Sequence, residues 1–100
     1  MNYKQQYTKE VEIFINIVKR YREIQEDDIS GAYQLMKDSL QAYNRWSKIK
    51  CDVRKDTKRG EASETKERLR EMCEFLKEVH TDTRIMYTNA RKDYREHKEG

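Results

Sequence analysis

The chain has no proline, and its three glycines, Gly31, Gly60 and Gly100, never stand together. Almost nothing interrupts it, so long helices are expected. Such scattered glycines also exclude the glycine-rich loop that cradles phosphates ahead of a helix, and nucleotide hydrolysis with it. Cysteine is as scarce: Cys51 and Cys73 have no CxxC spacing, so free thiols are expected rather than a bridge. No apolar run is long enough to span a bilayer, and the N-terminus lacks the basic, apolar, small-residue order of a signal peptide. The expectation is a soluble protein without a membrane partner, resident in the cytoplasm, that of the host cell if a mobile element encodes it.

Aliphatic residues are few. Leu, Ile, Val and Phe together supply 17 of 100 residues, while 41% are charged where about 25% is usual. Composition of that kind suits a disordered chain only when net charge is high, and here 22 basic and 19 acidic residues nearly cancel to leave +3. Seven Tyr, four Met and one Trp enlarge the apolar set. The balance describes one folded helical domain over residues 1–100, with thin apolar seams and heavily charged outer faces.

Three helices follow from the spacing. Over about residues 3–25, Tyr3, Tyr7, Val11, Phe14, Val18 and Tyr21 form one stripe, and Ile13, Ile17 and Ile24 form a second beside it. An apolar arc about 200° wide needs either two neighbours in a bundle or another protein chain. Over about 28–58, capped by Glu26, Asp27 or Asp28, one stripe holds Ile29, Tyr33, Met36, Leu40 and Tyr43. A parallel stripe holds Ala32, Leu35, Ala42, Trp46, Ile49 and Val53. Gly60 is placed to end this helix in a left-handed cap. Over about 62–97, Leu69, Met72, Leu76, Val79, Thr83, Met86 and Ala90 alternate steps of three and four, the pattern of a coiled-coil-like seam. The predicted fold is all-α: a three-helix bundle built on a long antiparallel hairpin of the second and third helices. Turning about Gly60 brings Cys51 and Cys73 to nearly the same height, and leaves Tyr94, Arg95 and His97 overhanging.

Catalytic constellations are missing. His80 and His97 lie about 25 Å apart on one helix, and Cys73 stands about 10.5 Å along the axis from His80, too far for a shared zinc. No serine has a histidine within local reach, and pairs such as Glu67 with Glu71 or Glu74 with Glu78 read as solvated helix faces. The sequence therefore predicts no enzyme, no metal and no cofactor.

Two binding signals remain. Residues 45–59 hold seven basic and two acidic side chains, whereas the segments on either side each carry a net charge of −1. Lys50, Arg54 and Lys58 fall four apart, with Trp46 one turn before them and Arg45 on the flank. That is an arrangement able to hold phosphates and stack a base. It is equally a helix end whose Trp46 belongs to the seam and whose cations complement the peptide dipoles. Tyr87, Arg91 and Tyr94 have the residue types of protein-interface anchors, and Ile13, Ile17 and Ile24 offer an apolar stripe. The favoured expectation is a small non-enzymatic adaptor or inhibitor that binds another protein and self-associates. By analogy of size and charge alone, it compares with accessory proteins of phages and other mobile elements. The alternative is an oligomeric nucleic-acid-binding accessory protein that uses residues 45–59.

Overall fold

The computed structural model describes residues 3–56 and 63–99, with side chains described over 5–54 and 66–92. It is a three-helix bundle of α1 (Tyr3–Glu23), α2 (Ile29–Asp56) and α3 (Ser63–Glu99). The helices α2 and α3 form an antiparallel hairpin. Its register is set by Tyr33 against Tyr87, Met36 against His80 and Ser47 against Cys73. Gly60 and Lys58, expected at its bend, lie outside the described residues.

Each buried row repeats the three-four step that keeps side chains on one face. On α2 it is Ala32, Leu35, Ser39, Ala42, Trp46, Ile49 and Val53. On α3, Leu69, Leu76, Val79 and Thr83 are buried, with Cys73 beside them. The two hydroxyls in these rows are satisfied within their own helices: Thr83 Oγ1 donates to the Val79 carbonyl at 2.6 Å, and Ser39 Oγ to that of Met36 at 3.0 Å. Trp46 is the largest fully buried side chain, and the edge-on ring of Tyr7 lies 5.2 Å from it.

Why α1 carries so wide an apolar arc is now plain: it packs against both other helices. Tyr7 meets Trp46 of α2, while Phe14 and Tyr21 meet Phe75 of α3 at 5.6 and 6.0 Å. Ile17 is fully buried, and Ile13 and Ile24 pack half-buried against the core. Between α1 and α2 the chain turns at Asp28. Its carboxylate accepts the Gly31 N–H at 2.8 Å and its carbonyl the Ala32 N–H at 2.9 Å, an N-terminal cap. A Cβ on residue 31 would stand 2.3 Å from that carboxylate, so the missing side chain lets the cap reach in.

The result is a rod. Its extents are 62 × 20 × 20 Å, and its radius of gyration of 16.8 Å exceeds the roughly 13 Å of a compact 100-residue domain. The 37 residues of α3 account for about 55 Å of that length. By the register of the hairpin, Ile29 at the start of α2 stands level with about Arg91. The last two turns of α3, with Tyr94, Arg95 and His97, continue past that level, and their side chains lie outside the described residues. Among the described residues no helix is long and apolar enough to cross a membrane.

One polar contact ties α1 to α3. The Tyr21 hydroxyl donates to the Asp82 carboxylate. That hydrogen bond, partial burial and the nearby charges of Asp82 and Glu78 push the Tyr21 pKa up to about 12 from an ordinary 10.0. Folding thus favours the protonated phenol. The contribution is complete below pH 10 and is lost as the pH rises towards 12. The stability of the wild type, measured by urea unfolding, is therefore expected to fall more steeply between pH 10 and 12 than that of Tyr21→Phe. Equal slopes would show that this bond is not formed.

Candidate functional site

Among the described residues of the basic run, Arg45 and Lys50 do not share a face. Positions 45 and 50 lie on opposite flanks of α2, because five residues turn an α-helix by about 500°, or 140° net. Arg45 faces α1, where its Nε donates to Glu10 Oε2 at 2.7 Å. Lys50 faces α3 and sits half-buried beside Cys73. Arg54 is exposed, and Lys58 lies outside the described residues. Trp46 has no exposed face on which a base could stack. In this fold its ring is core.

The thiols are equally far from forming a site. Cys73 is buried against Ser47, and burial raises its pKa above the usual range for a thiol. Cys51 is exposed, so Ser47 and not Cys51 is the residue opposite Cys73. No group of three or more His, Cys, Asp and Glu gathers among the described residues. His80 Nδ1–H donates to the Met36 carbonyl at 3.0 Å and helps lock the hairpin.

Of the proposed protein-binding residues, Ile17 is buried and Ile24 packs on the core. Ile13 lines a shallow groove of about 310 Å³ between α1 and α2. The Arg20–Asp38 ion pair, 2.8 Å long, closes one side of it. Tyr94 lies outside the described side chains. Tyr87 and Arg91 come together on the outer seam of the hairpin, on the side away from α1. Tyr87 packs against Tyr33 with centroids 5.3 Å apart and ring planes tilted by 43°. Arg91 lies 5.5 Å from the Tyr87 centroid and its Nη1 donates to the Tyr87 hydroxyl at 3.3 Å, while Lys37 Nζ stands 5.4 Å from the Tyr33 centroid. Two tilted rings in contact are thus flanked by two cations.

This cluster belongs to a longer face. Arg70, Lys77, Arg84 and Arg91 recur every seventh residue of α3, so they form a row on one flank with steps of about 10.5 Å. Arg91 over Tyr87 fixes that flank as the one bordering α2. Across the seam, α2 contributes Tyr33 and Leu40, each 43% exposed, where the apolar stripe had suggested packed positions. Lys77 and Arg84 are exposed and have no ion-pair partner among the described residues, whereas Arg70 pairs with Glu67. No carboxylate lies on the two columns of either helix that border this seam. The face offers hydrogen-bond donors, positive charge and apolar surface together, a combination suited to an acidic partner that also carries apolar side chains.

The opposite flank of α3 has the reverse character. Glu78 and Asp82 face Tyr21 of α1, and Glu71 lies one heptad before Glu78. Because the two flanks share one stretch of sequence, their charges cancel in any segment count. The seven-residue recurrence of the cations was the signal that could have found this face.

No protein-family model, no curated protein and no solved structure matches the chain.

Proposed function

We propose that the protein is a non-enzymatic binding module, an adaptor or inhibitor, that covers an acidic surface of another protein with the α2–α3 face. The observation that carries this reading is the placement of Tyr33, Leu40 and Tyr87 inside an uncompensated row of Lys37, Lys77, Arg84 and Arg91. Aromatic and arginine side chains supply most hot-spot energy in protein interfaces, and the exposed leucine adds apolar area that phosphates do not use. Rigid helices hold all seven side chains, so little order has to be imposed on binding. The coiled-coil-like α3 would act as the stiff spine of the face, as suits the accessory proteins of phages and mobile elements to which size and charge compare it.

A second reading, nucleic-acid binding, is favoured by the same cation row, now on α3 rather than at residues 45–59. The two separate on which residues matter. With a fluorescent acidic amphipathic helical peptide as probe, Leu40→Asp is expected to weaken binding at least tenfold by anisotropy while circular dichroism stays unchanged. With a single-stranded oligonucleotide, phosphate binding instead predicts a logarithmic salt slope that falls by about 0.7 for each of Lys77, Arg84 and Arg91 reversed to Glu, with Leu40 indifferent. Peptide binding that ignores Leu40 would overturn the favoured reading.

A further inference from the structure

The large apolar side chains left most exposed by the fold sort by charge. Tyr33 and Leu40, both 43% exposed, lie on the cationic face. Ile85, 54% exposed, lies on the other side of α3, and Ile15, 60% exposed, lies on α1. Ile85 follows Glu71 and Glu78 in the same seven-residue column, and Ile15 lines a groove of about 450 Å³ with Phe14 and Val18 on α1. Glu71 and Glu78 are exposed there and have no ion-pair partner among the described residues. Lys19, Arg22 and Glu23 complete the lining of this groove, which is made of α1 residues alone, so the acidity of the flank is that of α3.

From these two flanks we infer that the occupant of the cationic face is the acidic flank of a second copy of this chain, docked side by side. The inference rests on reading the α2–α3 face as a binding surface and names one ligand for it. Three features support the pairing. Charge is complementary, with Lys77, Arg84 and Arg91 on one side and Glu71 and Glu78 on the other. Both columns lie on one helix and so share one step of about 10.5 Å, which lets a neighbouring copy meet the row in register. The cationic face carries Tyr33 and Leu40, and the acidic flank Ile85, as exposed apolar side chains to be covered, and a flank 62 Å long and 20 Å wide has room for the ~800 Å² per partner of a stable interface. Because the two faces differ, the contact is heterologous: every copy keeps one free face of each kind, and association runs on to a ring or an open row.

Two double variants test it, each confirmed as folded by circular dichroism. Lys77→Gln with Arg84→Gln removes the cationic face, and Glu71→Gln with Glu78→Gln removes the acidic one. By light scattering at low salt, the wild type is expected to exceed its 12.2 kDa chain mass increasingly with concentration, and to return to it as salt rises. Each variant alone is expected at 12.2 kDa. Their equimolar mixture has one intact face of each kind and is expected to stop at a capped dimer of twice that mass. A wild type that stays at 12.2 kDa at every concentration, or a mixture that stays monomeric, overturns the inference. A monomer that gains mass only with an oligonucleotide does so too, in favour of nucleic acid. A monomeric wild type that still binds the acidic peptide through Leu40 overturns self-association alone and leaves the binding reading standing.

Discussion

Trp46→Ala is expected to lower the unfolding free energy by about 3–5 kcal/mol, the usual cost of emptying a buried aromatic site. Trp46 is 0% exposed, covered edge-on by Tyr7 and embedded in the α2 row with Ala42, Ile49 and Val53. A small domain has only about 5–15 kcal/mol in total, so this one change should bring it close to unfolding in mild urea. The control is Tyr33→Ala, a 43% exposed ring, for which a shift below about 1 kcal/mol is expected. The pair of denaturation curves also decides what the lone tryptophan is for. Were Trp46→Ala to leave the midpoint unchanged and abolish oligonucleotide binding, the ring would be a stacking platform and not core.

Arg45→Ala is expected to cost about 2–3 kcal/mol. Glu10 is almost wholly buried, its side chain 3% exposed, and Arg45 provides its only ion pair among the described residues. The second carboxylate oxygen, Glu10 Oε1, is buried without a hydrogen-bond partner there, so removing Arg45 would strand the whole group. The estimate lies below the ~3–5 kcal/mol of a fully buried pair because Arg45 itself is 37% exposed. Replacing both residues by leucine should recover most of the loss, since an apolar pair needs no compensation. A double-mutant cycle by urea unfolding measures the coupling, and a coupling near zero would contradict the buried pair.

The parts of this fold readable from sequence were those governed by local period. The three-four alternation from Leu69 to Ala90 identified the inner face of α3, and the stripe from Ala32 to Val53 that of α2, because steric periodicity alone sets which side chains share a face. What could not be read was which flank of a helix meets which neighbour. Arg45 and Lys50 look like one cluster in the sequence, yet tertiary packing sends one to α1 and the other to α3. Nothing in the apolar period marks Glu10 as buried, yet its ion pair with Arg45 holds it inside. The stripes on α1 were both packed, since Ile17 sits at the centre of its contact with the hairpin, and the residue left outside is Ile15. The cationic face escaped a count by segment because Glu71, Glu78 and Asp82 on the far flank cancel Lys77, Arg84 and Arg91 on the near one.

Central to the account is the proposal that the protein works through the face of the α2–α3 hairpin and not through residues 45–59 as a run. The most direct measurement is a footprint: titration of the isotopically labelled chain with the acidic amphipathic peptide, followed by amide chemical shifts. The account predicts perturbations concentrated at residues 33–40 and 77–91, with residues 45–54 and α1 largely silent. Perturbations centred on residues 45–54, or none at any peptide concentration, would contradict it.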